Sequence, residues 1–201
     1  MDKQLIISIG REFGSAGHFI AAELSKRFDI PLYDHNLLDQ IAEEMGVEQH
    51  EFKKYDETPR FSFLNRRVNG HSTSMQDHLV RMQFKFMQNK ADNGESFVIV
   101  GRCAEHHLSH NPNMVTIFVL GNREEKIKRI MNIFNMKNEK EAEIMMKRKD
   151  MKRKTYHNAY CKGKWGDSRN YHISINSSVL GVEKTIDYLE SFIRAKYELN
   201  G

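Results

Sequence analysis

Short apolar runs recur along the chain, and most are followed by a stretch in which apolar residues return every three or four positions. Leu5-Ile6-Ile7-Ser8-Ile9 is the first run and Ile30 to Tyr33 a short second one. Phe97-Val98-Ile99-Val100, Val115 to Leu120 and Tyr171 to Ile175 follow. Such runs, ended by glycine or polar residues, suit strands of a parallel sheet buried on both faces. Between them, Ile20, Leu24 and Phe28 have helical spacing, as do Ile127, Ile130, Met131 and Phe134, and then Val182, Ile186, Leu189 and Ile193. The alternation predicts an α/β fold: a five-stranded parallel sheet with helices on both faces, joined by right-handed crossovers. Glu48 to Glu95 has no clear strand and reads as mostly helical, with a helix over His78 to Asn89 and a loop around Val68 to Ser74.

Composition narrows the class. The 201 residues fit one domain, and 39% hydrophobic with 29% charged residues is enough apolar material for a core. There are three prolines, no Gly/Ser-rich linker and no repeat, so one domain over 1–201 is expected. No run approaches the roughly 18–20 apolar residues that cross a bilayer. The opening MDKQLIISIG is too short for a signal peptide, so the expected location is cytoplasmic. The net charge of +4 is local: Lys137 to Lys164 holds ten Lys/Arg against four Asp/Glu, and the rest is net acidic. That distribution argues against a general nucleic-acid-binding surface. Cys103 and Cys161 form no Cys-x-x-Cys and read as two reduced thiols. His106 and His107 are adjacent and point to different helix faces; with His71, His78 and His110 they read as surface or supporting residues. No protein-held metal centre is expected from these patterns.

Three segments carry candidate chemistry. The first strand runs into IGREFGSAGHF, where Gly10, Gly14 and Gly17 with Ser15 and Ala16 precede a helix. Small residues let backbone N–H groups approach a phosphate, and the helix N-terminus adds its positive end. A merely tight strand-to-helix turn has the same composition. Against the Walker pattern, His18 falls at the lysine and Phe19 at the magnesium-binding hydroxyl. Asp34, at the end of the second run, is a favoured helix cap and also stands where ligands collect on doubly wound sheets. Gly101-Arg102 ends the third run, where a guanidinium can grip a phosphate or form a structural ion pair. Arg81 lies on the His78–Asn89 helix, as part of a solvated face or as a monophosphate contact. Lys147 to Lys154, KRKDMKRK, is a solvated helix face or a basic cover.

Together these segments resemble the cytidylate kinase-like family, a diverged branch of the nucleoside monophosphate kinases. GREFGSAGH resembles that family's GREYGSGG-like loop, and LYDHNLLDQ its YYDKELI-like segment. VIVGRCAEHHL resembles its Gly-Arg-Gly or Gly-Arg-Asp element, with Cys103 where many members have Asp. Asp150-Met-Lys-Arg153-Lys-Thr-Tyr156 resembles its Asp-Lys-x-Arg-x-x-Tyr lid. KGKWGDSRNYHISINSS follows the family's Trp-Gly-Asp…Asn-Tyr-Asp-Leu…Asn-Thr-Ser passage at Trp165, Tyr171 and Asn176, with His172 in place of Asp.

The resemblance implies a three-layer P-loop NTPase-type fold with an acceptor-binding insertion over about 34–95 and a basic helical lid over about 137–165. It implies ATP with Mg²⁺ carried by the nucleotide, and CMP or dCMP as phosphoryl acceptor. Gly10, Arg11, Gly14, Ser15, Ala16, Gly17 and His18 would cradle the donor. Arg11 and His18 are candidates for the missing lysine's role, and Arg148, Asp150 and Arg153 would act from the lid. Asp34, Arg81, Gly101, Arg102 and Tyr156 would bind the acceptor. The departures at His18, Phe19 and Cys103 keep open a nucleotide-binding or regulatory protein of the same fold with impaired catalysis. A kinase for another small acceptor is a further alternative; an RNA binder lacks the interleaved aromatics.

Overall fold

In the computed structural model, residues 3–34, 37, 41, 67–68, 71–72 and 75–199 are described. Strand β1 (Ile6–Arg11) is the centre of the sheet, because Ile6, Ile7 and Ile9 leave no surface exposed. It pairs in parallel with β5 (Phe97–Val100) on one side and β6 (Met114–Leu120) on the other. The edges are β2 (Leu32–Tyr33), beside β5, and β7 (Ile173–Asn176), beside β6. The order β2-β5-β1-β6-β7 is the five-stranded parallel sheet that the apolar runs predict.

Alternation along each strand divides the core into two layers. Ile7, Ile9, Val98, Val100, Ile117 and Val119 face α1 (Gly17–Phe28) and the C-terminal helix α7 (Val182–Leu199), which contribute Ile20, Leu24, Ile186, Leu189 and Ile193. Ile6, Phe97, Ile99 and Met114 face α2 (Met75–Asp92) and the short α3 (Ala104–His107) through Leu79, Met87, Ala104 and Leu108. α4 (Arg123–Ile133) and α5 (Glu139–Tyr160) pack on each other through Ile127, Ile130, Ala142 and Met146. α6 (Ser177–Leu180) links β7 to α7.

The segment expected to form a lid is one continuous helix over Glu139–Tyr160, begun by Asn138, whose side chain accepts from the N–H groups of Lys140 and Glu141. Where a loop is expected near Val68, residues Arg67–Val68 (β3) and His71–Ser72 (β4) pair antiparallel. The Asn69-Gly70 sequence between them favours a hairpin. The segment over 42–66 lies outside the described residues. No described helix is long and apolar enough to cross a membrane.

Candidate active site

The carboxyl ends of β1, β5 and β2 deliver Arg11, Gly101 and Asp34 to one edge of the sheet, the edge where ligands bind in open α/β folds. The loop from Glu12 to Ala16 is held from behind. Arg129 donates to the carbonyl of Gly14, and Ser177 Oγ donates to the carbonyl of Ser15 at 2.7 Å. Ser15 is fully buried and its hydroxyl donates to the carbonyl of Glu12 at 2.9 Å. The Glu12 carboxylate accepts from Lys126 Nζ at 2.8 Å and from the Gly121 N–H at 3.2 Å. The N–H groups of Glu12, Phe13 and Ser15 are themselves bonded, to the Val119 carbonyl, Asp150 and the Glu12 carbonyl, so an anion would meet the N–H groups further on, toward the start of α1. Gly14 has φ +84°, and a Cβ there would lie 2.9 Å from the carbonyl oxygen of Lys126. Helix α1 starts from Ala16 in the left-handed region, with no side-chain cap and no acidic residue in its first turn. Its positive end is therefore uncompensated from within the helix.

Beside this loop opens a cleft of about 1010 Å³, whose walls include Phe13, His18, Asp34, Arg102, Lys149 and Arg153. A nucleotide is within the range of ligands such clefts take. His18, half exposed, places Nδ1 2.5 Å from Asp34 Oδ2, and Arg11 Nη2 stands 3.5 Å from Asp34 Oδ1. The nearly buried Asp34 carboxylate thus gathers two loop side chains, in addition to standing at the end of β2. A short imidazole held in this way cannot reach along a phosphate chain as a lysine does.

The turn after β5 is tightly wound. Gly101, Arg102 and Cys103 have φ of +74°, +59° and +57°, two of them non-glycine residues in the left-handed region. Arg102 is only 5% exposed, and it borders both the large cleft and a smaller void of about 40 Å³ shared with Gly10, Arg11, Arg153 and Tyr156.

Helix α5 closes over the loop. Asp150 Oδ1 accepts from the Phe13 N–H at 2.6 Å, Arg153 Nη1 donates to the Arg11 carbonyl at 3.3 Å, and the Arg153 guanidinium lies 5.4 Å from the Phe13 ring centre. Burial pushes the Asp150 carboxyl above its usual range, opposed by the Phe13 N–H and Arg153. Further along, Tyr156 donates to Gln83 Oε1 at 3.4 Å and Tyr160 to Asp77 Oδ1 at 2.7 Å, joining the lid to α2. Two expected residues are not brought in. Arg148 is exposed and borders neither cavity, because five residues of helix turn it roughly 140° from Arg153. Arg81 borders a separate hollow on α2 with His78, Lys85 and Phe86.

At the foot of α5 the fold assembles a cluster that sequence spacing did not suggest. His157 Nε2 lies 2.7 Å from Glu105 Oε1, both side chains almost fully buried, and a ligating atom of Cys161 stands within 4.8 Å of theirs. Cys103 and Cys161 are both free thiols, and their mutual interaction lowers Cys161 to about 7 and, with burial, raises Cys103. Burial lowers His157, but bonds to Cys161 and Glu105 outweigh it and push the imidazole up to about 10. The two thiols are free, as expected, but they stand beside a Glu–His pair that the spacing did not suggest: 52 residues separate Glu105 from His157, and only the docking of α5 against the β5–α3 turn brings them together. Lys126, Arg129 and Ser177 were also missed, because their spacing is that of ordinary helix and loop residues.

A family model described as "Cytidylate kinase-like family" matches residues 6–179. No curated protein matches the chain. Among solved structures, an uncharacterized protein from Eubacterium ventriosum is 40% identical, with a TM-score of 0.75 over 95% of this chain and 99% of that one. Shikimate kinase from Bacteroides thetaiotaomicron shares the fold at 12% identity, with a TM-score of 0.54 over 94% of this chain and 98% of that one. A putative kinase from Chloroflexus aurantiacus does so at 8% identity and a TM-score of 0.52, over 98% and 99%. The fold is that of the P-loop kinases, and over its sheet, glycine loop and basic helix this chain belongs to the cytidylate kinase-like family.

Proposed function

We propose that the protein transfers the terminal phosphoryl group of ATP to a nucleoside monophosphate, with CMP or dCMP as acceptor. One observation carries the reading: the glycine loop, Arg102 and the basic face of α5 border a single cleft of nucleotide size. The loop N–H groups and the start of α1 bind the donor phosphates. Arg102, rigid in its wound turn, holds the acceptor phosphate. Lys149 and Arg153 stabilise the charge that spreads over the transferring group, and α5 excludes water from it. Magnesium enters with the nucleotide. Glu12 and Asp34 place carboxylates at the cleft, the oxygen donors that ion prefers, and the ion would shield phosphate charge when bound. Arg11, which ends β1 and borders the cleft, stands in for the absent lysine.

Two observations favour a second reading, a nucleotide-binding protein with impaired catalysis. Asp150 occupies the Phe13 N–H, and His18 is held on Asp34. ADP formation from ATP·Mg²⁺ with each nucleoside monophosphate separates the readings. Turnover that prefers CMP or dCMP and is lost in Arg102→Ala and Arg153→Ala supports the kinase. Calorimetric binding of ATP without turnover on any acceptor overturns it in favour of the second.

A further inference from the structure

We propose that Glu105, His157 and Cys161, with Cys103 completing the shell, form a binding site for one divalent transition-metal ion of the zinc class. The ligand types are those zinc takes: thiolate, imidazole and carboxylate. Their arrangement also fits. His157 lies in the last turn of α5 and Cys161 is the cap that follows it, its N–H donating to the His157 carbonyl at 2.8 Å, so the two side chains leave the same end of the helix. Cys103 and Glu105 flank Ala104 on the wound turn into α3. Two ligand pairs, each from a short segment of a different element, is how compact zinc sites are built.

Distances agree. Around a tetrahedral ion with bonds of roughly 2.0–2.3 Å, donor atoms lie about 3.3–3.8 Å apart. The three donor atoms here already lie within 4.8 Å of one another. An ion would enter between His157 Nε2 and Glu105 Oε1, replacing their hydrogen bond, and the void of about 40 Å³ bordered by Cys103, Glu105 and His157 gives it room and a path. The second imidazole nitrogen, Nδ1, lies 3.4 Å from Asn158 Oδ1, an outer contact of the kind that orients ligating histidines. Charge balances as well. Two thiolates and one carboxylate around a dication leave one negative charge, and the buried Arg102 guanidinium adjoins the cluster.

The ion would tie the end of α5 to the turn that carries Arg102, fixing the foot of the lid. This site is separate from the magnesium that accompanies nucleotide, and its test needs none. Chelator-stripped full-length protein is titrated with Co²⁺ and then with Zn²⁺, following thiolate-to-cobalt charge-transfer absorption. One equivalent of Co²⁺ is expected to give that band and tetrahedral visible bands, and one equivalent of Zn²⁺ to bleach both. Cys103→Ser is expected to lower the charge-transfer intensity by about half while keeping binding, since one of two thiolates is removed. Cys161→Ser, with far-ultraviolet circular dichroism confirming the fold, is expected to weaken Zn²⁺ by at least about 100-fold. Absence of the charge-transfer band in the wild-type protein overturns the proposal whatever the variants do, as does an undiminished band in folded Cys161→Ser.

Discussion

Replacing Asp150 by Ala should tighten nucleotide binding even though the residue opens the phrase Asp150 to Tyr156 that resembles the family's lid. Its carboxylate accepts the Phe13 N–H at 2.6 Å, and Phe13 is part of the loop assigned to the donor phosphates. A phosphate that takes that N–H must first displace the carboxylate. A hydrogen bond to a charged group has a net strength of about 1.5–3 kcal/mol. At about 1.4 kcal/mol per decade, removing the competitor raises affinity by roughly 10- to 100-fold. Asp150→Asn retains a neutral acceptor, which is about half as strong, so its gain should be smaller. Isothermal calorimetry with ADP at low ionic strength reads both effects directly. ADP affinity in Asp150→Ala equal to or below that of the parent would refute the competition, and with it the placement of phosphate on the Phe13 N–H.

Further outcomes follow from other contacts. Gly14→Ala forces a side chain into φ +84° and to 2.9 Å from a backbone oxygen, so the unfolding free energy read from urea melts should fall by about 1–2 kcal/mol or more and ADP binding should weaken markedly. Arg153→Ala should cut turnover roughly 100- to 1,000-fold, whereas the exposed Arg148→Ala should leave kcat within about twofold; equal losses in both would mean that the whole basic run acts as a diffuse field. In metal-free protein the His157 imidazole should titrate near 10 by NMR and fall in Glu105→Gln. Its folded value lies above the unfolded 6.5, so its contribution to stability is complete below about pH 6.5 and is lost as pH rises through about 10. The stability difference between the parent and Glu105→Gln, from urea melts at stepped pH, should therefore shrink over that window.

The strands were legible because burial on both faces leaves runs such as Phe97 to Val100 with no polar position at all. The helices were legible where one face is covered, as at Ile186, Leu189 and Ile193. Phe134 fits the same periodic pattern yet is 49% exposed, since α4 ends just before it. Of the site, the segments that hug the backbone were readable from small residues: the glycine loop and Gly101-Arg102. What the sequence hides is every contact between distant elements. Asp150 and Phe13 are 137 residues apart, and Glu105 and His157 are 52 apart. Arg148 and Arg153 look equivalent in a line of basic residues, and only helical geometry and the side on which α5 docks distinguish them.

The 22-residue helix α5 is an unbroken rod about 33 Å long, at 1.5 Å per residue. Near its middle it carries Asp150 and Arg153 against the glycine loop, and one to two turns later Tyr156 and Tyr160 against α2. A rod transmits rotation. Any tilt that withdraws Asp150 from Phe13 also shifts the tyrosines, so on the proposed function the occupancy of the donor and acceptor sites would report on one shared conformational equilibrium. Linkage of that kind is reciprocal: whatever factor the proposed donor applies to acceptor affinity, the acceptor must apply to donor affinity.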